Sequence, residues 1–316
     1  MKTTRTVLAV AMSAAFGCAH AQSIQTLDPV VVSAARYEQK LSEVIPSVSV
    51  IDRDQIERSQ AQDLASLLMS EPGFEFGRNG GPGSTTSIFL RGMSSVNSAV
   101  FVDGVRAQTD RLGAFNFADI PVDMIDRVEI VRGNLGALYG EAAIGGAVHV
   151  FTRQGTGQPS GSASISLGAQ NTKRVSVNYG ADVLGHRFLV DISTLDTDGF
   201  SSRSGNSFNP DQDGYNNRSV NLRLSRRPSS SIELGVFANA MLGESEFDDS
   251  GASDDHLLRR RNDALGAYID MNRGSSGSVR LELLRSNLKI EDFLNGARKS
   301  VLNGGLSEGE QSTIRI

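Results

Sequence analysis

A run of period-two segments after Pro159 constrains the fold of this chain more than any other feature. In each segment, small or polar residues alternate with apolar ones, which indicates antiparallel strands with two different faces. The segments are residues 162–168, 173–180, 186–193, 218–225, 231–240, 263–271 and 278–288, and an eighth strand is expected before Ile316.

The connections between these segments alternate in length. They are short at 181–185, 226–230 and 272–277, and long at 194–217, at 241–262 and after 289. Short turns at one end and long loops at the other are typical of an outer-membrane β-barrel. A soluble β-sandwich is the alternative, because each strand signal is weak by itself. No stretch after residue 21 approaches 18 uncharged apolar residues, so a role in a membrane would have to use strands.

The first 21 residues have the features of a secretory signal peptide. Lys2 and Arg5 precede an apolar stretch too short to span a bilayer, and an A-x-A cleavage site ends at Ala21. We expect the mature chain to begin at Gln22, which removes Cys18, the only cysteine, and leaves no disulfide. A buried first helix and a lipoprotein anchored through Cys18 are the alternatives.

Residues 22–158 follow a different, mixed pattern. Helices and short strands alternate, and turns rich in glycine separate them. The predicted strands include 30–32, 48–51, "TSIFLRG" and "AVFVDGV", and the predicted helices are 53–58 and 61–70. The pattern is typical of a small α+β domain.

Within residues 28–154, the motifs "DPVVVSA", "FLRG", "VFVDGV", "IDRVEIVRG" and "ALYG" occur in an order that resembles the TonB-dependent outer-membrane receptors. Within that family, "VVVSAARYEQ", "NGGPGSTTSIFLRG" and the "DQDGY" loop resemble the vitamin B12 (cobalamin) receptor group. The resemblance implies an α+β plug domain followed by the first antiparallel strands of a transmembrane β-barrel, incomplete at about eight of 22 strands. The expected domains are a signal peptide (1–21), a TonB-box and plug domain (22–158) and the N-terminal part of the barrel (159–316). The resemblance also implies that charged side chains in "IDRVEIVRG" face the barrel wall.

The function implied by the resemblance is TonB-dependent active uptake of a scarce, cobalamin-like nutrient across the outer membrane of a Gram-negative bacterium. The implied partners are a TonB-type energy-coupling protein, the small-molecule nutrient and outer-membrane lipid. An iron-siderophore receptor, a non-transporting truncated plug with a partial barrel, and a soluble adhesin-like protein are the alternatives. Nucleic acid is not an expected partner, because 36 acidic residues outnumber 31 basic ones.

The segment that resembles a TonB box lies close to the expected mature N-terminus. An extended, β-branched segment there can pair with a sheet edge of the coupling protein by β-augmentation. The alternative is that this segment is simply the first strand of the plug. The segment consists of Asp28, Pro29, Val30, Val31, Val32, Ser33 and Ala34.

Two polar loops of the plug, 79–85 and 94–99, are the candidates for ligand contact, because loops on a rigid scaffold commonly carry binding residues. The candidate ligand-binding residues are Asn79, Gly80, Ser84, Thr85, Ser95 and Asn97.

Acidic residues in two long loops form a candidate metal site. Calcium prefers several oxygen ligands from carboxylate-rich loops, and the resemblance implies calcium at Asp211, Asp213 and Asp248. The alternative is that Asp-Gly pairs here mark turns. We expect no required cofactor, with calcium as the one candidate.

The sequence predicts no enzyme. His149, His186 and His256 show neither an H-E-x-x-H pattern nor another paired zinc spacing, and the chain contains no G-x-S-x-G elbow.

Overall fold

A computed structural model of the 316-residue chain describes residues 30–31, 39–40, 47–110, 113, 115–155, 157–201, 203, 205, 209, 211–249, 254–272, 277–300 and 305–315. The predicted signal peptide lies outside these ranges, as do Asp28, Pro29, Val32, Ser33 and Ala34 of the predicted TonB box. None of the helices in the described ranges has the length and hydropathy needed to span a bilayer.

The N-terminal domain combines a mixed sheet with short helices. Its strands are β1 (Val30–Val31), β2 (Gln39–Lys40), β3 (Ser47–Ile51), β4 (Phe74–Arg78), β5 (Thr86–Leu90), β6 (Ser98–Val102), β7 (Val105–Arg106), β8 (Ile125–Arg132) and β9 (Gly146–Thr152). Its α-helices are α1 (Arg53–Ser59), α2 (Leu64–Leu68) and α3 (Gly136–Tyr139), and 3-10 turns span Ser95–Asn97, Phe117–Asp119, Val122–Met124 and Glu141–Ala143. The five-stranded sheet has the order β3-β8-β9-β6-β7, while β1 pairs with β2 and β4 pairs with β5.

Side-chain capping determines where the two longer helices begin. Asp52 accepts a hydrogen bond from the backbone N–H of Gln55 at 2.8 Å and caps α1. Asp63 caps α2 in the same way through Ser66, at 2.7 Å. The predicted helix 61–70 is therefore shorter than expected, because Asp63 has extended backbone dihedrals and serves as the cap rather than as a helical residue.

Strand alternation divides the core of this domain into two clusters. Val100, Val102, Val148 and Val150 lie in a main cluster with α1, α2 and β8. Ala99, Phe101 and Ala147 belong to a second cluster with Val131 and Leu135. Neighbours in one strand thus contribute to different clusters, as expected for a sheet covered on both faces.

Residues from 160 onward form one antiparallel sheet, here called the wall. Its strands are β10 (Ser160–Leu167), β11 (Lys173–Val183), β12 (His186–Thr197), β13 (Tyr215–Ser229), β14 (Ile232–Phe247), β15 (His256–Asn272), β16 (Ser278–Leu294), β17 (Ala297–Arg298) and β18 (Leu306–Arg315). The strands pair in chain order up to β17, and β18 also pairs with β16. In the described ranges β10 and β18 do not pair with each other. The prediction of antiparallel strands joined by alternating short and long connections is confirmed.

The outward face of the wall carries a continuous apolar band. Phe188, Leu224, Val236, Ala267, Leu283 and Ile314 are successive cross-strand partners on this face. Measured from this row toward the long connections, the first outward charge is Arg218 in β13, Asp263 in β15 and Arg285 in β16. These positions lie six, four and two residues beyond the row, and Glu244 in β14 and Glu310 in β18 lie eight and four residues beyond it. The apolar band therefore extends farther in β13 and β14 than in β15, β16 and β18, and its border is oblique to the strands. An oblique border is expected where strands tilt relative to a planar apolar layer.

Candidate functional site

The N-terminal domain contacts the inward face of the wall mainly through polar side chains. One exception is Met241 in β14, which is buried in the main core cluster of the N-terminal domain. A second exception is the cluster of Val105 with Phe237 and Leu284. Because the direct hydrogen bonds across this seam join polar and charged side chains, these contacts fix how the two parts are oriented.

A buried ion pair crosses the seam near the long connections. The Arg260 guanidinium donates from Nε to Asp119 Oδ2 at 2.7 Å and from Nη2 to Asp119 Oδ1 at 3.0 Å. Tyr215 donates its hydroxyl to Asp119 Oδ1 at 3.2 Å, and Asn217 Nδ2 donates to the Asp119 carbonyl at 3.1 Å. The Arg260 and Asp119 side chains are only 4% and 2% exposed. Such a fork-to-carboxylate geometry fixes both distance and orientation.

A second charged contact holds the turn between β6 and β7. Asp103, at φ 50°, accepts hydrogen bonds from the Thr152 backbone N–H at 2.9 Å and from the Thr152 hydroxyl at 2.7 Å. From the wall, Asn239 Nδ2 donates to Asp103 at 3.1 Å and Arg223 Nη2 lies 2.5 Å from it. The carboxylate therefore connects its own domain with two wall strands.

A cleft of about 200 Å³ lies between the two parts, and Asp119 and Arg260 are among its lining residues. Its walls combine apolar groups with amide, hydroxyl and carboxylate groups, the composition expected of a small-molecule site. The other lining residues are Thr85, Gln108, Asp110, Phe115 and Asn116 on one side and Leu258, Asn262, Leu288, Ile290, Asp292 and Ser307 on the other.

The predicted ligand residues do not all lie at this cleft. Thr85 lines it, and its carbonyl accepts from the Asn79 N–H at 3.1 Å across the turn that contains Gly80 and the buried Ser84. The Ser95 hydroxyl is bonded to the backbone of Ile88 instead, accepting at 2.8 Å and donating at 3.0 Å. Asn97 Nδ2 donates to Ser94 Oγ at 3.2 Å. Their roles toward a ligand stay predictions.

The three aspartates predicted as metal ligands do come together. Carboxylate oxygens of Asp211, Asp213 and Asp248 all lie within 4.8 Å of one another. Asp213 and Asp248 are buried, and Ser201 Oγ donates to Asp248 Oδ2 at 3.0 Å. Partial burial and the charges of Asp213, Asp248 and Asp255 raise the pKa of Asp211. An all-oxygen donor set with this charge fits calcium better than zinc.

Charged residues of the "IDRVEIVRG" motif are paired inside the N-terminal domain in the part of the chain that the structure describes. Arg127 Nε donates to Glu129 at 2.9 Å, and Arg132 Nη2 donates to Glu71 at 3.2 Å. The residues that do reach the wall, such as Asp119, went unrecognised in the sequence. A usable signal exists in the run Arg259-Arg260-Arg261, because alternation turns only the middle arginine inward.

Comparisons with known proteins agree with this architecture. The family model "TonB-dependent Receptor Plug Domain" matches residues 40–147. The vitamin B12 transporter BtuB of Vibrio vulnificus is 40% identical over 178 residues, which cover 55% of this chain and 29% of that protein. BtuB of Vibrio cholerae is 32% identical over 287 residues, covering 89% of this chain and 46% of that protein.

Solved structures show the same fold. The ferric enterobactin receptor PfeA of Pseudomonas aeruginosa superposes with a TM-score of 0.64 at 19% identity, covering 84% of this chain and 45% of that one. The copper transporter OprC gives a TM-score of 0.63 at 17% identity, covering 78% of this chain and 38% of that one. The chain thus spans less than half the length of these relatives. With a plug domain, a matching antiparallel wall and vitamin B12 transporters among its relatives, the chain belongs to the family of TonB-dependent receptors.

Proposed function

We propose that this chain acts in an outer-membrane receptor for TonB-dependent uptake of a small, cobalamin-like nutrient. The observation that carries the proposal is a plug domain seated on an antiparallel wall, in a chain whose relatives at 32% to 40% identity are vitamin B12 transporters. The wall provides the passage and the plug, seated on its inward face, closes it. Because these relatives are transporters, we propose that the chain has no catalytic activity.

The apolar band supports an outer-membrane location. Its exposed side chains point away from the plug, where water would be an unfavourable surrounding. The oblique border matches strands that cross a hydrocarbon layer at a tilt. The proposed lipid contact is therefore the band that contains Leu224, Val236 and Leu283.

We assign contact with the TonB-type energy-coupling protein to residues 28–34. Val30 and Val31 are extended and pair antiparallel with Lys40 and Gln39, so these two residues have the backbone conformation that strand addition requires. Val31→Pro removes a backbone donor and should reduce capture by a TonB-type protein, while Val31→Ile should not. Capture that is unchanged by proline at each of the positions 28 and 30–34 would exclude this segment.

The acidic cluster is proposed to bind calcium. Three carboxylates held within 4.8 Å repel one another, and a divalent cation would offset that repulsion. Asp211, Asp213 and Asp248 would provide the charged ligands and order the two loops that carry them.

Ligand class can be tested directly on the purified, refolded chain. Cyanocobalamin should be retained in equilibrium dialysis, and ferric enterobactin should be retained more weakly. Among the solved structures, PfeA supports the siderophore alternative, but its 19% identity shows the fold alone. Retention of ferric enterobactin with none of cyanocobalamin would reverse the assignment.

A further inference from the structure

Arg260 of the wall bonds two separate segments of the plug. Its Nε and Nη2 donate to the Asp119 carboxylate, at the end of the 3-10 turn Phe117–Asp119. Nη2 also donates to the Gly83 carbonyl at 2.7 Å, in the loop 79–85. The third nitrogen, Nη1, donates to Ser245 Oγ at 3.1 Å in the neighbouring wall strand. Four of the five guanidinium N–H groups therefore have partners in the described residues, and one side chain joins three parts of the molecule.

This ion pair is more deeply buried than the plug–wall pairs of Arg223 with Asp103 and of Arg174 with Asp123. Arg223 and Asp103 are 11% and 4% exposed, and Arg174 and Asp123 are 11% and 22% exposed at 3.6 Å. Removing one partner of a pair as buried as Arg260 and Asp119 leaves a charge without compensation. The 117–119 turn cannot leave the wall without that cost. Loop 79–85 would lose the Nη2 bond to its Gly83 carbonyl if Arg260 turned away from Asp119, so displacement of this one side chain is expected to free both segments.

The contact also shapes the floor of the cleft, since Asp119 and Arg260 both line it. Gly83 fits only because it has no side chain: a Cβ there would lie 2.0 Å from Cδ2 of Tyr215. The Tyr215 hydroxyl oxygen also lies 3.1 Å from the Ala118 carbonyl oxygen. Loop 79–85 and the 117–119 turn are thus packed against one wall tyrosine and bonded to one wall arginine.

We propose that Arg260 is a latch residue that holds these two plug segments on the wall, and that a ligand entering the cleft releases both together by displacing Arg260 from Asp119. Holding is a property of the chain without ligand. Release rests on the proposed function, because it requires a ligand in this cleft. Arg260 acts as a positioning residue, and the plug core outside the two segments is not expected to depend on it.

Holding can be tested by hydrogen exchange of the refolded full chain without ligand. Asp119→Asn should accelerate amide exchange in 79–85 and 115–120 by at least about tenfold, while the amides of β8 and β9 stay unchanged. Arg260→Lys keeps the charge but not the fork and should accelerate the same two segments less. Asp123→Asn is the matched control, since it breaks a more exposed plug–wall pair and should leave both segments unchanged.

If Asp119→Asn accelerates amide exchange in only one of the segments 79–85 and 115–120, or in neither, the proposed latch is wrong. Acceleration spread over β8 and β9 as well would also overturn it, because it would show a general structural role. For release, cyanocobalamin should raise exchange in both segments of the unmodified chain. Binding of cyanocobalamin without that rise overturns the release step alone. Failure to bind at all overturns the proposed ligand and the release step with it, and leaves the holding result intact.

Discussion

Replacing Asp213 by Asn should have opposite effects on the acidic cluster with and without calcium. Two unit charges 4.8 Å apart repel by about 1 kcal/mol in a water-like medium and by about 3 kcal/mol at an effective dielectric constant near 20. Asp213 faces two such neighbours, and salt and exposure weaken the repulsion from the exposed Asp211. Neutralising Asp213 in chelator should therefore stabilise the loops by roughly 1 to 3 kcal/mol.

In calcium the same substitution removes a charged ligand. Affinity for the ion should fall at least about tenfold, a loss seen even for groups outside the first coordination sphere. The loops of Asp213→Asn should then be less stable than those of the unmodified chain at equal calcium. The sign of the change thus depends on the ion, which a purely structural role for this buried side chain would not produce.

The rate of proteolytic cleavage in residues 198–214 measures this loop stability. In chelator, Asp213→Asn should be cleaved more slowly than the unmodified chain, and in millimolar calcium more quickly. Asp196→Asn is the control, because Asp196 is bonded to Asn216 at 2.9 Å outside the cluster. Faster cleavage of Asp213→Asn in both conditions would refute the repulsion, and calcium-independent cleavage of the unmodified chain would refute the cation site.

Three further outcomes are expected. Met241→Ala should lower the free energy of unfolding of the plug by about 2 to 4 kcal/mol, measured from the urea midpoint of plug proteolysis. Met271→Ala on the exposed outer face should change the same free energy by less than about 0.5 kcal/mol. Gly83→Ala should accelerate exchange in loop 79–85, because its Cβ would clash with Tyr215 and φ is +74°; unchanged exchange would contradict this geometry. In chelator, the loop carrying Asp211 should become more resistant to cleavage as pH falls toward its raised pKa, above the usual 3.8, because protonation relieves repulsion; in calcium it should become less resistant, because protons displace the ion.

Strand alternation predicted the wall well but not the ends of its strands. The predicted segment 263–271 is part of β15, which begins at His256. Arg259 and Arg261 extend outward on either side of the inward Arg260, so a rule based on apolar residues stops where the strand leaves the apolar band. Main-chain pairing continues past that border, because backbone hydrogen bonds do not depend on whether the outer surroundings are apolar.

Local sequence also could not reveal the contacts that seat the plug. The hydrogen bonds between Asp119 and Arg260 join residues 141 positions apart, and neither residue belongs to a motif with a fixed spacing. The acidic cluster was predicted from the resemblance, and its carboxylates do converge in the folded chain. Strand β4 went unpredicted because Gly77 interrupts its alternation.

The length of the wall strands beyond the apolar band has a consequence for how the acidic cluster senses its surroundings. Asp248 follows the apolar Leu242 by six residues, which is about 20 Å of strand and roughly 15 Å of height at a tilt near 40°. Electrostatic potentials decay over about 8 Å at physiological ionic strength. The headgroup layer takes up about 5 to 7 Å of that height, so if the band lies in the membrane as proposed, the cluster stands about one screening length beyond the headgroups. Its occupancy should then report the free divalent-cation concentration of the external medium rather than the lipid composition of the membrane beneath it.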